Sequence, residues 1–162
     1  MHCEHVIGEK ITLSSVLDTT DDQVFRTQLR AALEEAREPE RIVYVWRTKK
    51  GIPRLKGESP IVYIGKSEYS LYDRYIREIN YEATNYWARY LHIMSKFGPI
   101  SFDIYKTKDP ELTENNFLFQ YQQEFFDRPP INMRPYRTSL LSEEQKGNRL
   151  DSFTKHQLEQ LS

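Results

Sequence analysis

The sequence predicts a mixed α+β (α/β) domain: a small three-stranded, largely antiparallel sheet flanked by helices, with an added helix at each end of the chain. Three observations carry this. The chain has 162 residues, enough for one core and too few for two. Three short β-rich runs, at 42–46, 61–64 and 100–105, are separated by segments whose apolar residues recur at helical spacing. Hydrophobic residues make up 38% of the chain and aromatic residues 13%, so a packed core can form although 29% of the residues are charged.

The elements follow in order. Ile11, Leu13 and Val16 read as a short strand or an arm. Thr19, Thr20 and Asp21 offer caps for a helix over 22–37, with Val24, Phe25, Leu29, Ala32 and Leu33 on one side and Pro39 beyond its end. The run 42–46 is a continuous apolar strand. A polar turn region with Gly51, Pro53 and Gly57 leads to the strand 61–64, and the two most simply pair antiparallel. Ser70 caps a helix to about residue 80. A second helix, over 85–97, turns Trp87, Tyr90, Leu91, Met94 and Phe97 inward and stops at Gly98-Pro99. The alternation of Ile100, Phe102 and Ile104 with polar neighbours predicts the third strand. Asp109-Pro110 opens a last long helix, which Arg128-Pro129-Pro130 ends. Residues 142–161 are charged and weakly amphipathic, an appended helix or a tail. The chain thus divides into an arm and helix (1–40), a central domain (41–137) and a C-terminal helix or tail (138–162).

Composition excludes several classes. No apolar run is long enough to cross a membrane, and the start, Met1-His2-Cys3-Glu4-His5, lacks the pattern of a signal peptide. The lone Cys3 forms no internal disulfide and no CxxC metal site, so a reducing cytoplasm is the expected compartment. His2, Cys3 and His5 lack a second ligand pair. His92, between Leu91 and Ile93, reads as partly buried. The net charge of −1 conceals an asymmetry. Residues 1–40 hold nine acids and four bases, whereas 41–57 hold six bases and no acid. A local basic strip of this kind suits phosphate, although a solvated hairpin looks the same.

The chemistry concentrates in a scattered set: Tyr44, Tyr63-Ile64-Gly65-Lys66, Arg74, Glu114 and Asn132. Tyr44 and Tyr63 fall on neighbouring strands, where core packing is their ordinary role; a cation beside them would favour phenolate. Arg74 offers a planar fork for phosphate or pairs with Glu78 four residues on; Arg77 is its rival. Glu114 is a single carboxylate for a divalent ion or a first-turn helix residue, with Glu124 as the alternative ligand. Asn132 follows Pro129-Pro130 in a turn. Here the chain resembles the GIY-YIG nuclease superfamily over about residues 41–132. The first motif stands as Ile42-Val43-Tyr44, with Ile in place of the family's glycine, and the second is complete as Tyr63-Ile64-Gly65. Arg74 lies early on the next helix. Glu114 is followed by Phe117, Leu118 and Tyr121, and Pro129-Pro130-Ile131-Asn132 matches the family's closing turn. The connection between the two tyrosines is longer than the family's commonest spacing.

The resemblance implies a DNA endonuclease that leaves 5′-phosphate ends, restriction-like or phage-encoded. It implies one Mg2+ or Mn2+ ion per active site on Glu114, Tyr44 taking the proton of the attacking water, and Tyr63 supporting it by a hydrogen bond. Arg74, Lys66 and Asn132 then serve the phosphate and the metal's surroundings. Cutting both strands requires a homodimer or two successive events. Lys49, Lys50, Arg54, Arg89, Lys96 and Arg134 are the basic residues expected to contact DNA. Two alternatives stand beside this: a nucleic-acid-binding protein of the same fold without catalysis, and an interaction domain that works through its acidic N-terminal helix.

Overall fold

The structure, a computed structural model, describes residues 8–149. Its centre is an antiparallel sheet in the order β1-β4-β2-β3, built from β1 (Lys10–Thr12), β2 (Ile42–Pro53), β3 (Glu58–Ser67) and β4 (Ile100–Lys106). The sheet therefore has four strands, not the expected three. The addition is β1, which pairs with β4 through Ile11 opposite Ile104. Three residues are too few to set a hydrophobic period. Its place is fixed by partners far along the chain, such as the Thr12 hydroxyl donating to Asp103 at 2.7 Å.

Strand β2 lies inside the sheet and is buried on both faces, which explains its unbroken apolar run. On one face Ile42, Tyr44 and Trp46 pack with Phe102 and Ile104 under the helices α1 (Asp22–Glu35) and α4 (Trp87–Phe97). On the other, Val43, Val45 and Ile64 pack under α5 (Pro110–Phe125) with Leu118, Phe119 and Tyr121. Phe25, Leu29 and Leu33 of α1 belong to the first of these cores, so the N-terminal helix is integral to the fold. Val24, expected on the same side, is 44% exposed.

The β2–β3 hairpin runs well beyond the two apolar runs, to a four-residue connection closed by Arg54 N–H donating to the Gly57 carbonyl at 2.9 Å. Gly57 there has φ of 69°, a conformation that favours glycine. The helix expected over 70–80 breaks. Ser70 caps α2 (Leu71–Tyr75), a turn follows, and α3 (Ile79–Tyr81) leads into a π-helical turn, Glu82–Tyr86. His92 on α4 is exposed rather than partly buried, because Ile93 and Met94 take the inner face. Asp109 caps α5 by accepting from Leu112 N–H, and Phe126 ends it in a left-handed conformation. A capping box at Ser142 starts α6 (Glu143–Gly147). Cys3, His2, His5, His156 and the rest of the C-terminal tail lie outside the described residues. Among the described residues no helix is long and apolar enough to cross a membrane.

Candidate active site

Beside the carboxyl end of β3 a cleft of about 540 Å3 is walled by three parts of the chain: β3, the first turns of α5, and the stretch from α2 to α4. Residues 131–137 close its side. Of the side chains singled out from the sequence, Tyr63, Lys66, Arg74, Glu114, Asn132 and Arg134 all line this one space. Arg77 and Glu124, the rivals of Arg74 and Glu114, do not.

Tyr44 lies beneath the cleft, 1% exposed. Its neighbour across the hairpin is Gly65, and a Cβ added there would sit 2.4 Å from Tyr44 Cζ. The glycine of Tyr63-Ile64-Gly65 thus makes room for the Tyr44 ring. Tyr44 and Tyr75 hydroxyls are 2.9 Å apart, and the Tyr44 and Tyr63 rings stand 6.0 Å centre to centre. Burial pushes the Tyr44 phenol well above its ordinary range; Tyr63 adds to this, while the Tyr75 hydroxyl and Arg74 pull the other way and lose. Burial also raises Tyr63, with Glu114 adding to it and Arg74 opposing. Neither phenol stands ionised at neutral pH.

Arg74 is half-exposed at the cleft wall. Its guanidinium donates to Glu78 at 3.1 Å and lies 4.8 Å over the Tyr75 ring. An i,i+4 pair of this exposure contributes little to stability and gives way readily to a phosphate. Glu114 contrasts with it. No hydrogen bond or ion pair with the described residues engages its half-buried carboxylate. Burial raises its pKa, with the charges of Lys66 and Arg137 opposing the rise. Asn132 is occupied: its Oδ1 accepts from Ile64 N–H and its Nδ2 donates to Ile64 C=O, both at 2.9 Å.

Sequence reasoning missed Glu82. It lines the cleft from the π-helical turn, 7% exposed, and accepts a 2.7 Å hydrogen bond from Tyr90. Burial raises this carboxyl too, against the Tyr90 hydrogen bond. Nothing in the run Glu82-Ala83-Thr84 signals it, since the sequence predicts no π-helical turn there. Tyr75 and Tyr90 were legible only as inward-facing helix residues.

The basic residues expected at DNA fall in three places. Arg134 is at the cleft, and Arg89 reaches the Sδ of Met133, a cleft residue, at 3.6 Å. Lys49 and Lys50 are exposed further along β2, and Lys49 lies beside Gly98 at the end of the helix that carries Lys96. Arg54 is mostly buried in an ion pair with Asp127. Among the described residues no group of three or more His, Cys, Asp or Glu side chains is placed to hold a metal ion.

Comparison with known proteins leaves the reading to the residues: no family model matches the chain, and neither does any curated protein or solved structure.

Proposed function

We propose that the chain is a metal-dependent DNA endonuclease of GIY-YIG type that hydrolyses phosphodiester bonds and leaves 5′-phosphate ends. The observation that supports it best is the convergence of Tyr63, Lys66, Arg74 and Glu114 on one cleft, with the Glu114 carboxylate unpaired within the described residues. A half-buried carboxylate without a partner is costly unless a cation meets it. The donor set fits Mg2+ or Mn2+, which accept one protein carboxylate and complete their shell with water and phosphate oxygens. Such an ion supplies neutralisation of phosphate charge and stabilisation of the leaving oxygen.

The chain's own residues do the rest. Arg74 exchanges Glu78 for two phosphate oxygens. Lys66 adds a second positive charge on the β3 side. Tyr63 hydrogen-bonds the attacking water, and Tyr44 behind it, once it has released its own proton and stands as phenolate, a form that Arg74 favours, takes the water's proton and returns to phenol as the water attacks. Because burial raises both phenols, Tyr63 serves as a neutral hydrogen-bonding group and the base is the minor phenolate form of Tyr44, which a cation bound beside Glu114 would increase. Asn132 holds β3 in place and so holds Tyr63 and Gly65. One cleft cuts one strand, so double-strand cleavage takes two copies or two events.

The test is supercoiled plasmid with wild type and with Glu114→Ala, each in Mg2+ and in EDTA. Nicked or linear product is expected from the wild type with metal alone. Cleavage that persists in Glu114→Ala removes Glu114 as the metal ligand. A second reading, DNA binding without cleavage, draws on the depth of Tyr44; it predicts duplex binding and intact plasmid in every arm.

A further inference from the structure

The tip of the β2–β3 hairpin has no part in the cleft chemistry, yet it is built with care. Arg54 is tied to Asp127 by an ion pair, and Lys56 N–H donates to the Phe125 carbonyl at 3.0 Å. The tip is thereby clamped to the end of α5. What it presents is Leu55, 78% exposed, the most exposed large apolar residue among the described ones. Beside it Phe126, 40% exposed and in a left-handed conformation, carries the Lys56 ammonium 4.9 Å over its ring. A rigid hairpin that holds a leucine in water serves no core.

The charge around it carries a small positive excess. Lys50, Lys56 and Arg128 are exposed, while the acids nearby are Glu58, Glu124 and Asp127, the last neutralised by Arg54. From the tip the chain continues along the edge of β3 to the cleft. Ile131 N–H donates to the Val62 carbonyl, Arg128 donates to the Met133 carbonyl at 3.0 Å, and exposed Met133 and Arg134 follow. Apolar and basic residues therefore alternate along one edge, from Leu55 to Arg134. Glu58 to Tyr63 or Lys66 is five to eight residues of β3, or about 20 Å at strand rise. On B-form DNA that is about six base pairs.

We propose that this edge is a duplex-DNA track, and that the hairpin tip enters a groove about six base pairs to one side of the scissile phosphate with Leu55 as an apolar wedge. The proposal rests on the endonuclease reading. Its chemistry is general: a two-stranded ribbon fits the major groove, basic side chains hold the phosphates on either side, and an apolar residue at the tip seats against or between base steps.

The experiment uses the full chain with Glu114→Gln added to prevent cutting, in EDTA, with a fluorescein-labelled 30-base-pair duplex. Leu55→Ala is expected to weaken binding about tenfold without changing the salt slope. Lys56→Ala is expected to lower that slope by about one. A Leu55→Trp variant gives the direct readout: its emission, corrected for Trp46 and Trp87, is quenched when the duplex is added. Equal affinity for Leu55→Ala together with a silent Leu55→Trp overturns the wedge and leaves the nuclease reading intact. A Leu55→Trp signal with anionic vesicles and none with duplex overturns it in favour of a membrane surface. No duplex binding by the Leu55-containing protein even at low salt overturns both readings together.

Discussion

At the scale of the residue, the site turns on what a few side chains exclude. Gly65 matters because the Tyr44 ring occupies the place of its Cβ, with Cζ at 2.4 Å and the hydroxyl at 2.5 Å. The ring has nowhere to go: Tyr75, Tyr63 and Trp46 surround it on its own face of the sheet. Gly65→Ala is therefore expected to destabilise by about 3 kcal/mol, the upper part of the range for overpacking. In a chain of this length that is a fall in Tm of about 6–12 °C. Calorimetry of Gly65→Ala alone and with Tyr44→Phe checks it. The second variant removes the hydroxyl and keeps the ring, so it does not restore stability; recovery in that background moves the conflict from the ring to the hydroxyl. The run Tyr63-Ile64-Gly65 was legible in the sequence as a motif, but its reason was not. That reason is a cross-strand register, which places residue 65 opposite residue 44.

Among the elements, the decisive one is irregular. Strand β3 is at the edge of the sheet, and its outward backbone groups would be left open. Residues 131 and 132 cover them, through Ile131 N–H to Val62 and both ends of the Asn132 amide to Ile64. This segment acts as a partial fifth strand made in part from a side chain. Asn132→Ala removes two hydrogen bonds and strands a buried N–H and C=O of Ile64. A loss of about 2–3 kcal/mol is expected, read from urea midpoints at constant m. A change below about 0.5 kcal/mol means that Asn132 does not hold the edge. The sequence marked the turn at Pro129-Pro130 and its asparagine, but not the contact with Ile64, which is 68 positions away. The same limit explains β1, whose three residues gain a strand's geometry only from β4. The long, capped elements fared better: α1 and α5 start at the expected Asp21 and Asp109 because capping is local chemistry.

Across the whole molecule, two cores lie on opposite faces of the sheet, and the cleft draws side chains from both. Carboxyl groups enter it at a cost to the fold, and that cost depends on pH. Glu82 is raised above its ordinary value by burial, so the folded chain holds its proton at pH values where the unfolded chain has released it. Between those two values the folded state binds more protons, and stability falls as pH rises through that window. The contribution is complete below the ordinary glutamate value and is lost above the raised one. Partly exposed Glu111, lowered by Arg137, acts in the opposite sense as pH falls, and its contribution is screened by solvent. Glu82→Gln keeps an acceptor for the Tyr90 hydroxyl and removes the charge. Its Tm is expected to match the wild type near pH 4.5 and to exceed it by about 2–4 °C at pH 8, on the order of 1 kcal/mol. The difference between the two proteins, followed from pH 4.5 to 8, cancels the titrating groups that do not interact with Glu82 and leaves Glu82 with its neighbour Glu78. A difference that does not grow with pH means that Glu82 is as well solvated in the fold as out of it. A growing one means that the chain keeps a destabilising carboxylate in the cleft, near Tyr63 and Arg74.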